Sequence, residues 1–407
     1  MSAGGPILRD KMFYFFSNDI YLTDTRWWQD FQLYFSSPIL RDINGFGRID
    51  FHFTPSTRLT GQILYSLRKW KDYEFSWRFN LDGLPSRKRD SYRAGLFWSH
   101  TLSPNSFYTL NLSRYHLQSE IGEGAKSSIN TTPYEYDFYL KWVIQGQRAW
   151  RVTSRQNIYT LKGDFTTQIS RLHLLKAGFE LNLYDIFGDI LKVEPQKTFF
   201  GKPLPDASQL SYGSIYQYYP KTGSVYIQGK LQGEEDGALL NLGLRFDFFD
   251  PRASRPAIEL VPKTTNEFEQ KVTGFVPAKL KSRFSPRVGL SYPISKNAFL
   301  FGNFGLYFQY PLFDYLYSGL NPVTISKTVP ALRGNPDLEP ETTKMWEFSF
   351  KYILSSDIVA AITYFSKATE NLVDTKTFLP SKTRLAGDYG FAEYVNNPSA
   401  TANGFEA

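Results

Sequence analysis

The run LRGNPDLEPETTKMWEFSF, Leu332 to Phe350, decides the fold. Past Met345 it alternates: Trp346, Phe348, Phe350 and then Tyr352 fall on one side, and Glu347, Ser349 and Lys351 on the other. Alternation of this kind marks an extended strand with one apolar and one polar face, because successive Cβ atoms of a strand point to opposite sides. The residues before it form a stiff lead-in. Gly334, Pro336 and Pro340 punctuate it, and proline fixes its own φ while biasing the preceding residue to extended geometry. Asn335 and Asp337 supply local side-chain caps. Such a lead-in sets the register of Thr343–Tyr352, where a one-residue slip would carry Trp346 and Phe348 to the wrong face. A second reading gives Arg333 and Asp337 direct contact with a substrate, since loops carry function as well as turning the chain.

The same alternation recurs throughout. GFGRIDFHFT places Ile49, Phe51 and Phe53 opposite Arg48, Asp50 and His52. LLKAGFELNLY sets Leu175, Ala177, Phe179, Leu181 and Leu183 against Lys176, Glu180 and Asn182. LLNLGLRFDFF sets Leu240, Leu242, Leu244, Phe246 and Phe248 against Asn241, Arg245 and Asp247. Weaker examples run through Met12–Tyr21, Leu59–Arg68, Tyr92–Thr101, Tyr108–His116, Asn157–Phe165, Ser224–Leu231, Arg287–Tyr292, Phe299–Phe308 and Val359–Phe365. Together these give about thirteen strands and no helix.

Composition agrees with a chain whose apolar residues are spread thinly. The 407 residues are 42% hydrophobic and 17% aromatic, yet the mean hydropathy is −0.35. No window reaches the ~18 continuous apolar residues of a membrane helix. Met1–Asp10 lacks the layout of a signal peptide. With no cysteine there is no disulfide framework and no thiolate site. A net charge of +7 is mild for this length and does not point to nucleic acid.

Two features separate the pattern from an ordinary β-sandwich. Charges of both signs stand in mid-strand, which a packed core tolerates only when they are fully paired; a wet interior is the simpler reading. The connections also alternate in length. TPST, SPNS, TQIS, GEED, SKN and LSSD are tight turns, each followed one strand later by a long loop, the rhythm of a transmembrane barrel. Tyr65, Trp98, Tyr108 and Tyr292, near strand ends, suit interfacial girdles or ordinary packing. Since bacterial single-chain barrels have even strand numbers, about thirteen strands imply an incomplete, open curved sheet, with Met12–Tyr21 and Val359–Phe365 as its outer edges.

At this point the residues carry a resemblance. GGPILRDKMFYFF (Gly4–Phe16), SPRVGLSYPI (Ser285–Ile294), FGLYFQYPLFDYLY (Phe304–Tyr317) and LRGNPDLEPETTKMWEFSFKY, in that order, resemble the barrel of TonB-dependent outer-membrane receptors. ENLVDT (Glu370–Thr375) and the terminal YVNNPSATANGFEA match the family's next loop and the entry to a further strand, and the blend is similar to receptors with an N-terminal carboxypeptidase-regulatory-like domain. The resemblance implies an all-β fold: part of a ~22-stranded transmembrane antiparallel barrel. It implies that residues 1–407 are barrel alone, with signal peptide, plug domain and last strands absent. It further implies a location in the outer membrane of a Gram-negative-type bacterium, contact with lipid and lipopolysaccharide, and coupling to the TonB complex through the missing plug. No cofactor is implied.

The residues themselves suggest where such a wall works. Arg48, Asp50, Lys162, Asp164, Lys176, Glu180, Arg245, Asp247, Glu347 and Lys351 are expected to face the lumen. The aromatic-rich loops KWKDYEFSWRF, PYEYDFYLKW and SYGSIYQYYP offer Trp70, Tyr73, Trp77, Tyr136, Trp142, Tyr216, Tyr218 and Tyr219 for stacking on a ligand, or for packing loop on loop. His52, His100, His116 and His173 lack metal-ligand spacing, and GEED reads as a solvated turn. The basic run SRKR (Ser86–Arg89) meets lipopolysaccharide phosphates or simply water. An outer-membrane barrel enzyme would need catalytic residues clustered at one rim, and none is visible. A soluble sandwich or adhesin would need the apolar faces to bury one another. The imported ligand, whether siderophore, cobalamin, glycan or peptide, is not written in the sequence.

Overall fold

The computed structural model describes residues 1–24, 39–122, 134–137, 139–193, 212–234, 237–264, 267–320, 332–378, 391–397 and 399–407. In chain order the first strands are β1 (Ser2–Leu8), β2 (Met12–Thr23), β3 (Leu40–Thr54), β4 (Thr57–Lys71), β5 (Ser86–Ser103), β6 (Ser106–Ile121), β7 (Glu135–Asp137) and β8 (Trp142–Gln145). Next come β9 (Ala149–Ser170), β10 (His173–Val193), β11 (Tyr212–Tyr218), β12 (Lys221–Gln232), β13 (Leu239–Asp250), β14 (Ser254–Thr264) and β15 (Glu267–Pro277). After β16 (Lys281–Pro293) and β17 (Ala298–Gln309) stand the short helix α1 (Phe313–Tyr317), β18 (Leu332–Arg333), β19 (Glu341–Ile353), β20 (Val359–Glu370), β21 (Leu372–Phe378), β22 (Phe391–Asn397) and β23 (Ala400–Glu406).

One antiparallel sheet of 16 strands dominates, in the order β1-β2-β3-β4-β5-β6-β9-β10-β12-β13-β16-β17-β19-β20-β23, with β11 beside the far half of β10. All thirteen strands expected from alternation lie in this path. The outer edges differ from expectation. β1 pairs with β2, and β23 pairs with β20, so neither of the anticipated edge strands is an edge. The sequences SAGGPIL and ATANGFE carry too few large apolar side chains to alternate visibly; pairing with a neighbour, not pattern, makes them strands. Among the described residues no ladder joins β1 to β23. The helix α1 was not anticipated either, because five residues hold too little of a 3.6-residue period to show.

Neighbours in sequence are neighbours in the sheet, so connections fall alternately at its two ends. TPST, SPNS, SKN and LSSD lie at one end, as do the turns after TQIS and at GEED, where Glu235 and Asp236 fall outside the described residues. The aromatic-rich segments, β7–β8, the β14–β15 hairpin, α1 and the β18-β22-β21 sheet all lie at the other.

The sheet is amphipathic in reverse. In β19 Trp346 and Phe348 are 47% and 55% exposed, while Glu347 and Ser349 between them are more sheltered. Ile49, Phe53, Leu242 and Leu244 are exposed in the same way, and Thr60, Ser113, Thr222, Ser224, Asp247 and Ser285 on the opposite side are buried. No second sheet covers the apolar side among the described residues. A single layer can shelter one face only by curling, so the polar side is the inside of the curve and the apolar side meets the surroundings. That is the arrangement of a barrel wall in lipid, where exposed apolar area is not penalised.

The apolar band has limits. Tyr65, Tyr92 and Tyr159 stand outward at its upper rim, and Trp98, Tyr108 and Tyr292 at its lower, with Trp98 Nε1–H donating to Tyr108 Oη at 3.3 Å. From Tyr92 to Trp98 the strand climbs ~20 Å at ~3.3 Å per residue, near the ~25 Å band of outer-membrane barrels. β9 and β10 run well past Tyr159 and Leu183. There their outward side turns polar: Asn157 and Thr153 face Asp185 and Asp189 across the ladder.

Candidate functional site at the loop end

The lead-in to β19 turns out to be a clamp. The N–H of Gly334 donates to Ser318 O at 2.6 Å and that of Asn335 to Tyr315 O at 2.8 Å, which lays the backbone directly on α1. Only glycine permits it, because a Cβ at 334 would sit 2.8 Å from the Leu316 carbonyl. Asn335 Oδ1 accepts from the Asp337 N–H at 3.0 Å, and its Nδ2 donates to Tyr394 O at 3.0 Å. The Asp337 carboxylate accepts from Lys281 Nζ at 2.7 Å and from the Lys279 N–H at 3.0 Å. Glu339 pairs with Lys281 at 3.0 Å and Arg283 at 2.9 Å. Asn396 donates from Nδ2 to Glu339 O and Asn371 O, both at 2.9 Å, and accepts from the Glu339 N–H at 2.8 Å. Through these bonds one segment ties β16, α1 and the β21–β22 hairpin together.

The charges respond to this burial. Burial alone would raise the Asp337 carboxyl, but the hydrogen bonds from Lys281 and Lys279 outweigh it and hold it below the ordinary carboxylate range. Burial raises the Glu393 carboxyl, with Arg333 opposing. Burial also pushes the Arg333 guanidinium down to about 10, against the pull of Glu393. Arg333 is buried and Asp337 is held by Lys281, so both engage protein in this structure.

Among the described residues two apolar cores sit at the loop end. The first holds Ile186, Tyr216, Phe249, Leu316, Tyr317, Leu320 and Leu338. Tyr218 stacks on Tyr317 with centroids 4.5 Å apart. Tyr216 Oη donates to Asp314 Oδ1 at 3.0 Å, and Tyr317 Oη to Pro251 O at 2.8 Å. The second core packs Trp77, Leu81, Leu84 and Val143, with Tyr73 against it. Arg148 lies over Trp77 at 5.0 Å and Trp150 at 4.6 Å while pairing with Glu74. Trp142 packs on Phe75 at 4.5 Å and Phe79 at 5.1 Å.

The aromatic candidates therefore divide. Tyr73, Trp77 and Trp142 come together around the second core, and Tyr216 and Tyr218 in the first. Tyr219, in the connection between β11 and β12, is exposed. Tyr136 belongs to β7, and its side chain falls outside the described residues. Trp70 stands on the inward side of β4, its Nε1–H donating to Asp72 Oδ1 at 2.9 Å.

The ten charged candidates share the inward side by register. Arg48 donates to Asp50 at 2.8 Å, and Thr60 Oγ1 donates to the same carboxylate at 2.6 Å. Lys162 lies 3.8 Å from Asp164, and Arg245 Nε donates to Asp247 at 2.8 Å. Glu180 accepts from Asn182 Nδ2 at 2.9 Å. Tyr226, which the sequence reading missed, reaches across β10 to Asp164 at 2.5 Å. It can do so because Gly178 stands between them, where a Cβ would lie 2.6 Å from its ring. That pairing spans 62 residues and leaves no local signal. Among the histidines, His100 bonds Thr57 and His173 bonds Ser170, both at 2.7 Å. His116 bonds Asn157 at 2.8 Å and stacks on Tyr92, while His52 meets Phe13 edge-on.

A family model described as TonB dependent receptor-like, beta-barrel, matches residues 14–407. Solved structures share the fold. The siderophore receptor PirA from Pseudomonas aeruginosa matches 99% of this chain and 57% of its own at 13% identity and a TM-score of 0.61. A mutant of the ferric enterobactin receptor PfeA from the same organism matches 99% of this chain and 55% of its own at 15% and 0.64. A double mutant of the Serratia marcescens hemophore receptor HasR, complexed with its hemophore HasA and heme, matches 97% of this chain and 56% of its own at 13% and 0.62. The chain thus spans little more than half the length of these three proteins. No match to it is found among curated proteins.

Proposed function

Since the chain belongs to the TonB-dependent receptor β-barrel family, we propose that it forms wall and mouth of an outer-membrane importer. Its loop end captures a scarce ligand, and the charged inner side guides that ligand inward once energy arrives through the TonB complex. The wall contacts lipid and, at the outer rim, lipopolysaccharide. The carrying observation is the reversed amphipathicity of the sheet combined with folded loops at one end only, which supports a receptor over an enzyme or an adhesin. Of the aromatic candidates whose side chains are described, Trp70 and Tyr219, outside both cores, are the ones left to meet a ligand first.

The test is growth of cells with and without the gene when one nutrient is limiting: ferric siderophore, haem, cobalamin, glycan or peptide in turn. A growth advantage that disappears when the inner-membrane proton gradient is collapsed supports the reading. Equal growth on every nutrient, or an advantage indifferent to the gradient, overturns it. The facing has its own check. Brominated lipid tails should quench a single-tryptophan variant retaining Trp346 and leave one retaining Trp70 bright.

A further inference from the structure

The basic run at Ser86–Arg89 is divided by the pleat. Lys88 points outward, 3.9 Å from Glu120, whereas Arg87 and Arg89 point inward beside β4. There the ladder pairs Trp70 with Arg87 and Arg68 with Arg89. Two arginines thus face each other directly across adjacent strands, an arrangement that repels. Both guanidinium groups also address one indole: Arg68 lies 5.2 Å and Arg89 6.0 Å from the Trp70 ring centre. This is attractive but does not neutralise them.

The nearby acids are engaged elsewhere. Asp72 is taken by Arg87 Nε at 2.6 Å and by Trp70 Nε1–H. Asp42, across from Arg68 on β3, accepts from the neutral amide of Asn44 at 3.2 Å and keeps its charge, but forms no ion pair with Arg68 within 4.0 Å. Among the described residues neither Arg68 nor Arg89 has an ion pair within 4.0 Å, and Arg93, on the same side, adds another exposed cation. Arginines set in register, with neither paired to a carboxylate among the described residues and with Asp72 already taken by Arg87, leave a seat for an anion. Guanidinium groups suit carboxylate or phosphate oxygens, which they bind in bidentate fashion.

We propose that Arg68 and Arg89, set over Trp70 on the inward side of β4 and β5 just below the second loop core, bind an anionic group, carboxylate or phosphate, carried by the imported ligand. This rests on the receptor reading for its biological setting but not for its chemistry. A lipid phosphate cannot be the source, because the pair faces away from the apolar side.

The experiment titrates citrate and, separately, inorganic phosphate into the full chain folded in a non-ionic, phosphate-free detergent, by calorimetry and thermal melting. At least one probe should bind, and the Arg68→Gln/Arg89→Gln double variant should lose about tenfold or more in affinity. Each single variant should fall between, Arg68→Lys should lose less than Arg68→Gln, and Arg41→Gln, on the outward side, should bind as the parent does. Without anion the single glutamine variants should melt no lower than the parent, since one repulsive partner is gone. Failure of both probes to bind the parent overturns the proposal. So does undiminished binding by the double variant, or equal loss in Arg41→Gln. If the double variant does not fold, as judged by heat-modifiable migration, the single variants decide. Micelles need no energised membrane, so binding without import would sink the receptor reading alone.

Discussion

Leu338 and Phe348 are ten positions apart in one continuous stretch and live in opposite worlds. Leu338 is 1% exposed inside a loop core, while Phe348 is 55% exposed on the sheet. The loop end behaves as a water-soluble protein does, with apolar groups gathered inside and ionic groups such as Lys281, Asp337 and Glu339 locking the periphery. The sheet does the reverse. Both obey the same rule, that apolar surface leaves water: the loops bury it against one another, and on the importer reading proposed above the sheet turns it to lipid. On that reading the membrane boundary falls near Tyr65, Tyr92 and Tyr159, where the outward side of the strands changes from apolar to polar.

If the two regions really are stabilised by different solvents, they should fail separately. Trp77→Ala should cost about 3–5 kcal/mol within the second loop core. Hydrogen exchange should then show loss of protection in the segments on either side of Trp77 and in β8, with the melting of the main sheet unmoved. Simultaneous melting of β4 and β5 would mean that the cap and wall form one unit and would break the contrast.

Phe348→Arg should cost about 2–4 kcal/mol in the sheet, the penalty for a cation on a lipid-facing position near mid-bilayer. Its neighbour Ser349→Arg, on the wet side, should cost less than ~1 kcal/mol. Urea titration of folding into lipid vesicles measures both. Equal penalties would show that the two sides share one solvent.

Lys281→Met removes the cation that Asp337 and Glu339 share, and should weaken the clamp by about 1–2 kcal/mol. The readout is protease sensitivity of residues 332–340, with the strand ladder unchanged. Cleavage at the parental rate would demote the ion pairs to decoration.

The smallest effect is that of pH on the same clamp. The Asp337 carboxyl titrates below its ordinary value in the folded protein, so its contribution is fully present above the unfolded value near ~3.9 and is lost as pH falls through the folded one. Exchange protection of the Asp337 and Asn335 amides should therefore hold at pH 5 and decline only under stronger acid. A decline already complete at pH 5 would contradict it.

How much of this could be read from residues alone follows from the range of each interaction. Facing is local. A strand such as WEFSF declares its two sides within five residues, so the thirteen central strands and the alternation of short and long connections were legible. The edge strands β1 and β23 left no mark in the alternation, because their identity lies in the neighbour they pair with. The loop aromatics show the same limit. Nothing near Trp77 or Tyr216 distinguishes a ring awaiting a ligand from one packed on Val143 or beside Tyr317, since those partners are contributed by segments far along the chain. Nor does SRKR disclose that Arg89 will face Arg68, 21 positions earlier. In the strands that alternate cleanly, such as β10, β13 and β19, the sequence by itself determined the polar side, because the pleat repeats every two residues; tertiary structure alone decided which polar groups meet, because register joins residues that covalent order keeps apart.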